Sequence, residues 1–393
     1  MSPDGIGVCH VITRLDLGGA QENTLYTVEH LRPPFRASLV SGPGGLLDEE
    51  AGRIAGLDLS FVPSLARPIR PHRDLAALAA LTRLLRRTRP AIVHTHSSKA
   101  GILGRLAARL AGVPVVVHTI HGYGFNDEQP AVLRRLFIRL ERSVAPLTSR
   151  FIAVSRANLD RGVDLGLFPR HRAILIRSGI PLASFERAGA MRRSDGLRAE
   201  LRIPDNAPLV GMIACLKPQK APLDFVEVAA RVARLIPEAV FVLAGDGELR
   251  GRVQERIDRL SLRARIRLLG WRRDVPRLLA ALDVMLLTSL WEGLPRVVPE
   301  AIAAGVPVVA TAADGTTDIL KEGETGMVCA PHDLDGLAAR VERLLRDRAF
   351  ANGLVARARA ILPEFDIDAM VRSQERLYLD LLEAAGRLPR RAA

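Results

Sequence analysis

Residues 291–311 carry the side chains with the clearest capacity for chemistry, in the sequence WEGLPRVVPEAIAAGVPVVAT. Glu292 and Glu300 are separated by seven residues, and the pattern places Pro295 in the first turn of a predicted helix that Gly305 ends. The free N–H groups of a helix N-terminus attract a phosphate, and Glu300 could accept two hydrogen bonds from a vicinal diol such as a ribose. The spacing indicates a site for a phosphate and a sugar. Two ordinary solvated carboxylates are the alternative.

Lysine is rare in this chain, which makes two closely spaced lysines informative. Only four of the 56 basic residues are lysines, and Lys217 and Lys220 both fall within the stretch LKPQK. A fixed cation stabilises the negative charge that grows on a departing phosphate group. A surface lysine after a strand is the alternative for Lys220.

A glycine pair, Gly18 and Gly19, follows the first apolar run of the chain. Such a pair lets a backbone approach a ligand and opens a helix whose N-terminus faces it. A simple turn is the alternative for these glycines.

Three of the nine histidines and all of the cysteines are interpreted as structural. His94, His96 and His118 alternate with apolar residues at the period of a strand, where a histidine is more often packed or hydrogen-bonded than catalytic. The three cysteines lie far apart, without the spacing of metal ligands or of a disulfide framework, and are expected in buried strands: Cys9, Cys215 and Cys329.

The elements that must position these residues alternate between apolar strands and amphipathic helices, the pattern of parallel α/β sheets. Predicted strands of the first half are 7–12, 37–40, 59–62, 91–95, 115–120, 151–154 and 173–176. Those of the second half are 209–214, 239–244, 266–269, 284–288, 306–310 and 327–329. Helices are predicted at 75–85, 102–110, 133–142 and 367–382. Ligands of doubly wound sheets bind at the carboxyl ends of the strands, so the loops after the strands are the expected sites.

The chain divides into two such sheets on this pattern. A polar stretch interrupts the alternation, and the expected organisation is an N-terminal domain at 1–183 and a linker at 184–207. A second domain at 208–365 and a final helical segment at 366–393 follow.

Length and composition support a folded protein with two or three domains. The chain has 393 residues, of which 48% are hydrophobic and 25% charged, and its apolar runs are too short to cross a bilayer. The N-terminus has no signal-peptide pattern, so a cytoplasmic protein is expected.

The net charge of +13 suggests an anionic partner, but 52 arginines against four lysines also suggest the codon usage of a GC-rich genome. Aromatic residues are only 4%, which argues against a nucleic-acid reader. The basic helix predicted at 133–142 could lie on anionic lipid, placing the protein at the inner face of the cytoplasmic membrane; a solvated arginine face is the alternative.

The segment 291–311 resembles the signature of the retaining family 4 glycosyltransferases, which have the GT-B fold. Further matching stretches occur in the same order at 11–31, 118–125, 140–155, 215–229 and 243–250, so that the likeness spans about residues 6–382. The stretches HTIHG and LERS…FIAVS are most like the branch that makes capsular and other bacterial cell-surface polysaccharides. The resemblance implies two Rossmann-like domains facing across a cleft and a final helix that returns to the first domain.

The resemblance also implies roles for individual residues. Glu300 would hold the nucleotide ribose, Glu292 would contact the donor sugar, and Lys220 would bind the diphosphate. His121 would lie beside the anomeric centre of the sugar. The remaining donor-binding positions are Gly18, Gly19, Lys217, Gly245, Trp271, Gly293 and Leu294. Many family members carry an arginine where this chain has Cys215, so Lys217 is the candidate for the second charge.

The expected function is therefore transfer of a sugar from a nucleotide-sugar to a hydroxyl of a glycan, lipid-linked or small-molecule acceptor. The resemblance implies a hexosyltransferase that retains anomeric configuration and needs neither a metal nor a cofactor. A UDP-sugar is favoured, although no residue distinguishes UDP from GDP. The alternatives are a nucleotide-sugar epimerase of the same fold and a basic protein that binds nucleic acid or lipid.

Overall fold

The computed structural model describes residues 5–191 and 196–388. The chain forms two compact units, one made of the residues up to Gly179 together with those from Ile367 onward, the other of residues 180–366. Each unit contains one parallel β-sheet with helices packed against it.

The first unit contains a seven-stranded sheet in the order β3-β2-β1-β4-β5-β6-β7. Its strands are β1 (Ile6–Arg14), β2 (Phe35–Gly42), β3 (Asp58–Phe61), β4 (Ile92–His96), β5 (Val115–Ile120), β6 (Arg150–Ala153) and β7 (Ala173–Leu175). The second unit contains a six-stranded sheet in the order β10-β9-β8-β11-β12-β13. Its strands are β8 (Leu209–Ile213), β9 (Val240–Ala244), β10 (Ile266–Gly270), β11 (Val284–Leu287), β12 (Val308–Thr311) and β13 (Met327–Cys329).

Helices lie in most connections between the strands, because parallel neighbours need a crossover that is too long for a tight turn. Those before the second sheet are α1 (Gly19–His30), α2 (Asp48–Gly52), α3 (Pro71–Thr88), α4 (Ser98–Ala111), α5 (Ala131–Val144), α6 (Arg156–Asp164), α7 (Leu182–Ala190) and α8 (Leu197–Glu200). Those after β8 are α9 (Pro222–Leu235), α10 (Arg250–Arg259), α11 (Val275–Ala281), α12 (Val297–Ala303), α13 (Leu334–Arg346), α14 (Arg348–Ala358) and α15 (Ile367–Ala384).

Each of the thirteen predicted strands is present within two residues of its expected ends. The physical reason is that a strand covered on both faces must be apolar throughout; Val115–Ile120, for example, is buried along its whole length. The doubly wound fold expected from the alternation is therefore confirmed.

The last helix, α15, belongs to the first unit. Val371 and Tyr378 are fully buried in the apolar cluster that Val8, Ile92 and Val117 form on one face of the first sheet. The predicted helix at 367–382 thus covers the sheet of the N-terminal unit, as the GT-B fold requires.

The segment expected as a linker has a different structure. Within residues 184–207, α7 and α8 lie in the second unit, where α7 packs against α11 and α12. Phe185 and Leu197 are buried, and the polar residues of these helices lie largely on their exposed sides, which explains why the composition resembles that of a linker. Residues 192–195 of the expected linker lie outside the described residues.

Candidate active site

The predicted donor-site residues of the second unit lie in the loops at the carboxyl ends of its strands. Lys217 and Lys220 follow β8, and Glu292 follows β11. Because β8 and β11 are neighbours in the sheet, their carboxyl-terminal loops meet.

Lys220 and Glu292 form an ion pair between Nζ and Oε1, although they are 72 residues apart in the chain. The Lys220 side chain is 17% exposed and the Glu292 side chain 6% exposed. Two charges so far removed from water interact strongly, and each fixes the position of the other. A basic group is thereby held at the edge of the sheet where an anionic ligand of this fold would bind.

Hydrogen bonds between the two loops keep this pair in place. The Thr288 hydroxyl donates to the carbonyl oxygens of Lys220 and Ala221, at 2.9 and 3.0 Å. The Gln219 side-chain amide donates to the carbonyl oxygen of Trp291 at 2.8 Å. Ala221 has a positive φ of 42°, which turns the chain sharply after Lys220 and starts α9.

The helix after Glu292 begins later than the sequence pattern indicated. α12 starts at Val297, so Pro295 precedes the helix and Glu300 lies in its first turn. The reason is Pro299, which has no N–H and is accepted only near the start of a helix, so the helix cannot extend far ahead of it. The ending at Gly305 agrees with expectation, since that residue has a φ of 79°.

Arg296 and Asp314 belong to this site but were missed by the sequence reasoning. Arg296 Nη2 lies 3.6 Å from Glu300 Oε1, and the two side chains are only 10% and 11% exposed. The Asp314 carboxylate accepts a hydrogen bond of 3.2 Å from the backbone N–H of Glu292. Arg296 stands inside the recognised motif and could have been noticed there, whereas no local signal marks Asp314.

The other predicted donor residues of this unit occupy different parts of the same edge. Gly245 follows β9 with a φ of 130°, and a side chain there would bring Cβ within 2.0 Å of the Ala214 carbonyl oxygen, so only glycine allows this approach. Gly293 and Leu294 directly follow Glu292. Trp271 is 43% exposed and follows β10, the edge strand, which two strands separate from β11.

Two of the three cysteines lie in buried strands, as expected. Cys9 and Cys329 are buried in β1 and β13, and burial raises the pKa of Cys9 to about 12 and that of Cys329 to about 11. The expectation was wrong for Cys215, which is partly exposed and lies in the loop after β8. β8 ends at Ile213, so Cys215 lies two residues beyond the strand.

The predicted residues of the first unit lie at the carboxyl edge of its own sheet. Gly18 is the N-cap of α1 and Gly19 its first residue, so the glycine pair does open a helix. His121 follows the last residue of β5, and its Nε2 lies 3.1 Å from His96 Nδ1.

His94, His96 and His118 are buried and hydrogen-bonded, as the sequence predicted. Burial lowers the pKa of each of them well below the usual value. Neutral imidazoles are therefore packed into this sheet. The hydrogen bond that joins His96 to His121 was not anticipated, because it depends on the order of the strands.

Two family models match the chain, one in each half. The model for Glycosyltransferase Family 4 matches residues 17–184, and the model for Glycosyl transferases group 1 matches residues 194–361. The matched segments correspond to the two units.

A curated relative from Escherichia coli, a UDP-Gal:alpha-D-GlcNAc-diphosphoundecaprenol alpha-1,3-galactosyltransferase, is 34% identical over 96% of this chain and 97% of its own. The N-acetyl-alpha-D-glucosaminyl L-malate synthase of Bacillus anthracis is 26% identical over 79% of this chain and 80% of its own. Anabaena HepE, solved with UDP and glucose, has the same fold at a TM-score of 0.82 and 21% identity, covering 95% of this chain and all of the other.

These similarities decide between the function classes left open by the sequence. The relatives are a transferase and a synthase, so they give the epimerase alternative no support. The family models describe sugar transfer and not nucleic-acid binding. Among the described residues, no helix is long and apolar enough to span a membrane.

Proposed function

The chain belongs to the family 4 glycosyltransferases with the GT-B fold, and from this premise we propose that it transfers a hexose from a UDP-sugar to a lipid-diphosphate-linked glycan. The observation that carries the proposal is the buried pair of Lys220 and Glu292, at the sheet edge where the second unit would bind its donor. UDP-galactose and a lipid-diphosphate-linked GlcNAc are the first substrates to test, because the E. coli relative is named for them.

In this proposal Lys220 stabilises the leaving UDP. Negative charge grows on the diphosphate as the glycosidic bond breaks, and a cation already fixed by Glu292 needs no reorganisation to meet it. The partial burial of the pair strengthens the interaction, since little water screens it. We assign the second positive charge at the diphosphate to Lys217, which directly precedes the short turn that ends at Lys220.

Glu300 would accept hydrogen bonds from the two ribose hydroxyls. Its side chain is only 11% exposed, the Arg296 guanidinium lies 3.6 Å from its Oε1, and a carboxylate has two oxygens that can accept such bonds. Glu292 would contact the donor sugar beside Lys220, with its backbone held by Asp314.

We assign the remaining predicted residues to positions around the donor. Gly245 lets the loop after β9 approach the loop after β8, which carries Lys220, and the exposed Trp271 follows the edge strand β10. For His121, Gly18 and Gly19, which lie at the carboxyl edge of the first sheet, the roles implied by the family resemblance stay predictions.

The proposed chemistry retains the anomeric configuration and needs no metal. UDP-galactose is an α-glycoside of its nucleotide, and the E. coli relative is named for an α-1,3 product. Attack from the face that UDP leaves accounts for such an outcome. The departing phosphate oxygen then takes the proton of the acceptor hydroxyl, so the protein need not supply a base.

We also propose that α5 brings the first unit to an anionic membrane surface, where a lipid-linked acceptor resides. Ile138 and Val144 of this helix are buried, but four other apolar residues are exposed: Val132 by 79%, Leu133 by 40%, Leu136 by 50% and Leu140 by 38%. Arg135 and Arg139 are exposed on the same helix. An apolar stripe flanked by arginines is typical of a helix lying in a lipid interface, and nucleotide-sugars are available at the cytoplasmic face.

Calorimetric titration tests the donor site. UDP is expected to bind with a chelator present, and Glu300→Gln should weaken that binding about tenfold or more, because a neutral amide accepts weaker hydrogen bonds. Glu324→Gln is the matched control, since that side chain is 66% exposed and lies 3.8 Å from Lys321 on the surface of the second unit. Failure of UDP and GDP to bind would refute the donor site, and binding that requires Mg²⁺ would refute metal independence.

Transfer itself is tested with UDP-galactose and a GlcNAc-diphosphate-lipid analogue. The product should carry an α-linkage, read from the anomeric proton coupling in its NMR spectrum. A β-linked product would contradict retention, and release of an altered sugar without any acceptor would contradict transfer.

A further inference from the structure

The charged side chains of the proposed donor site are balanced in sign. Three cations and three carboxylates have been placed at this edge of the second sheet: Lys217, Lys220, Arg296, Glu292, Glu300 and Asp314. A site built only to attract a diphosphate would carry an excess of positive charge. Glu300 is accounted for by the nucleotide ribose, which leaves the carboxylate beside Lys220 to be explained.

The Glu292 carboxylate shares its cation with the diphosphate. Glu292 Oε1 contacts Lys220 Nζ directly, and Lys220 is the residue assigned to the diphosphate. Oxygen atoms bound to one ammonium each lie about 2.8 Å from the nitrogen, so two of them are at most about 5.6 Å apart. A phosphate oxygen bound to Lys220 would therefore lie close to a second negative charge.

Glu292 is held in this position by contacts on both sides of its side chain. Its backbone N–H donates to the Asp314 carboxylate at 3.2 Å, and the carbonyl oxygen of Trp291 accepts from the Gln219 side chain at 2.8 Å. The Glu292 side chain is 6% exposed. Two negative charges at such a separation repel each other strongly where little water screens them.

The sugar of the donor offsets this repulsion. Glu292 is also assigned to the donor sugar, whose hydroxyl groups can donate hydrogen bonds to its carboxylate. Hydrogen bonds to an ionised acceptor are stronger than those between neutral groups. A UDP-sugar thus brings both the repelling phosphates and the hydroxyls that compensate Glu292, whereas UDP brings the phosphates alone.

Transfer of the sugar also increases the negative charge of the nucleotide. Each phosphate of a UDP-sugar carries one charge, whereas the terminal phosphate of UDP is a monoester, which carries about 1.5 to 2 charges at neutral pH. The repulsion from Glu292 therefore grows at the stage when the sugar hydroxyls have left.

We infer that Glu292 expels UDP after transfer, because its carboxylate binds the sugar hydroxyls of the donor but repels the diphosphate that remains. The inference rests on the proposed function, in which Lys220 binds the diphosphate and Glu292 contacts the sugar. The ion pair then has two effects: Lys220 stabilises the leaving group, and Glu292 prevents the product from binding too tightly. Such a device matters because product release limits the turnover of many enzymes.

Calorimetric titration of Glu292→Gln tests this inference. Glutamine has the same shape and still offers Lys220 an oxygen acceptor, but it carries no charge. The variant should bind UDP about tenfold more tightly than the unmodified protein does, and UDP-galactose no more tightly. Uridine, which has no phosphate, should bind both proteins alike. A thermal melt shows whether the variant is folded.

Glu300→Gln is the matched control for this change of charge. Glu300 is also nearly buried and lies beside a cation, with Arg296 Nη2 at 3.6 Å, but it is assigned to the ribose that UDP and UDP-galactose share. Glu300→Gln should therefore weaken the binding of both nucleotides by the same factor. A general effect of removing one carboxylate would instead move UDP binding in the same direction in both variants, which would overturn the inference.

Inhibition of transfer by UDP gives a second readout. UDP should inhibit Glu292→Gln at about tenfold lower concentration than it inhibits the unmodified enzyme. Unchanged or weaker UDP binding by Glu292→Gln would overturn the inference and leave the proposed function standing, as would equal tightening of UDP and UDP-galactose. If the unmodified protein binds neither nucleotide, the proposed function and this inference both fail.

Discussion

Lys220 is the residue whose replacement bears most directly on the proposed chemistry. Lys220→Gln keeps a hydrogen-bond donor for the buried Glu292 carboxylate but removes the positive charge. We expect kcat to fall about 10²-fold or more, since the charge acts mainly on the leaving diphosphate, while KM for the donor changes little. Steady-state UDP release measures the fall in kcat. A thermal melt of the variant shows whether it is still folded. A kcat near that of the unmodified enzyme would exclude Lys220 from the diphosphate site.

Two other cations near the proposed donor should affect different kinetic parameters. Lys217→Gln is expected to lower kcat about tenfold, because Lys217 is assigned to the diphosphate. Arg296→Gln is expected to raise the donor KM with kcat nearly unchanged, because Arg296 lies beside Glu300, the proposed ribose ligand. The same assay of UDP release measures both. The opposite pattern would assign the second diphosphate cation to Arg296.

At the scale of single elements, the proposed role of α5 predicts binding to anionic vesicles, which can be measured without any catalytic assay. Arg135 and Arg139 are exposed beside the apolar stripe, and each should contribute about 1 kcal/mol to binding an anionic surface. The double variant Arg135→Gln/Arg139→Gln is therefore expected to bind phosphatidylglycerol-containing vesicles about 30-fold more weakly at low salt. Sedimentation with vesicles measures this, with phosphatidylcholine vesicles as the uncharged reference.

The control for α5 makes the same change of charge on another helix. Arg252→Gln/Arg259→Gln alters two exposed arginines of α10 in the second unit. Equal weakening by both double variants would mean that the net charge of +13, and not the surface of α5, attracts the vesicles.

For the molecule as a whole, buried histidines predict how stability depends on pH. Burial lowers the pKa of His10 to about 3, and those of His94, His96 and His118 also fall well below 6.5. The unfolded chain therefore takes up protons before the folded one as the pH falls below 6.5. Stability is fully present above that pH and should decrease below it by about 1.4 kcal/mol per pH unit for each such histidine.

This dependence is measured by urea unfolding at several pH values between 7.5 and 5.5. The signal monitored is the unfolding transition of the first unit. His118→Asn removes one titrating group and should reduce the loss of stability between these two pH values by about 1.4 kcal/mol. His72→Asn, at an exposed position of α3, should leave the dependence unchanged. A first unit equally stable at pH 5.5 and 7.5 would contradict the burial of neutral histidines.

The sequence by itself determined the elements and the family. Strands such as Val115–Ile120 are recognised because a strand covered on both faces is apolar along its length, a signal contained in a few adjacent residues. The spacing of Glu292 and Glu300 is likewise local, as is the glycine pair that opens α1.

Only the tertiary structure decided which side chains meet. The ion pair of Lys220 and Glu292 spans 72 residues, and the bond of His10 to His96 spans 86. Such contacts depend on which strands are neighbours and in what register, and the periodicity of the sequence reports neither.

The polar segment at 184–207 was misinterpreted for the same reason, since α7 and α8 bury single residues against helices distant in sequence. Local signals specify elements, whereas sites form where the order of the strands brings their ends together.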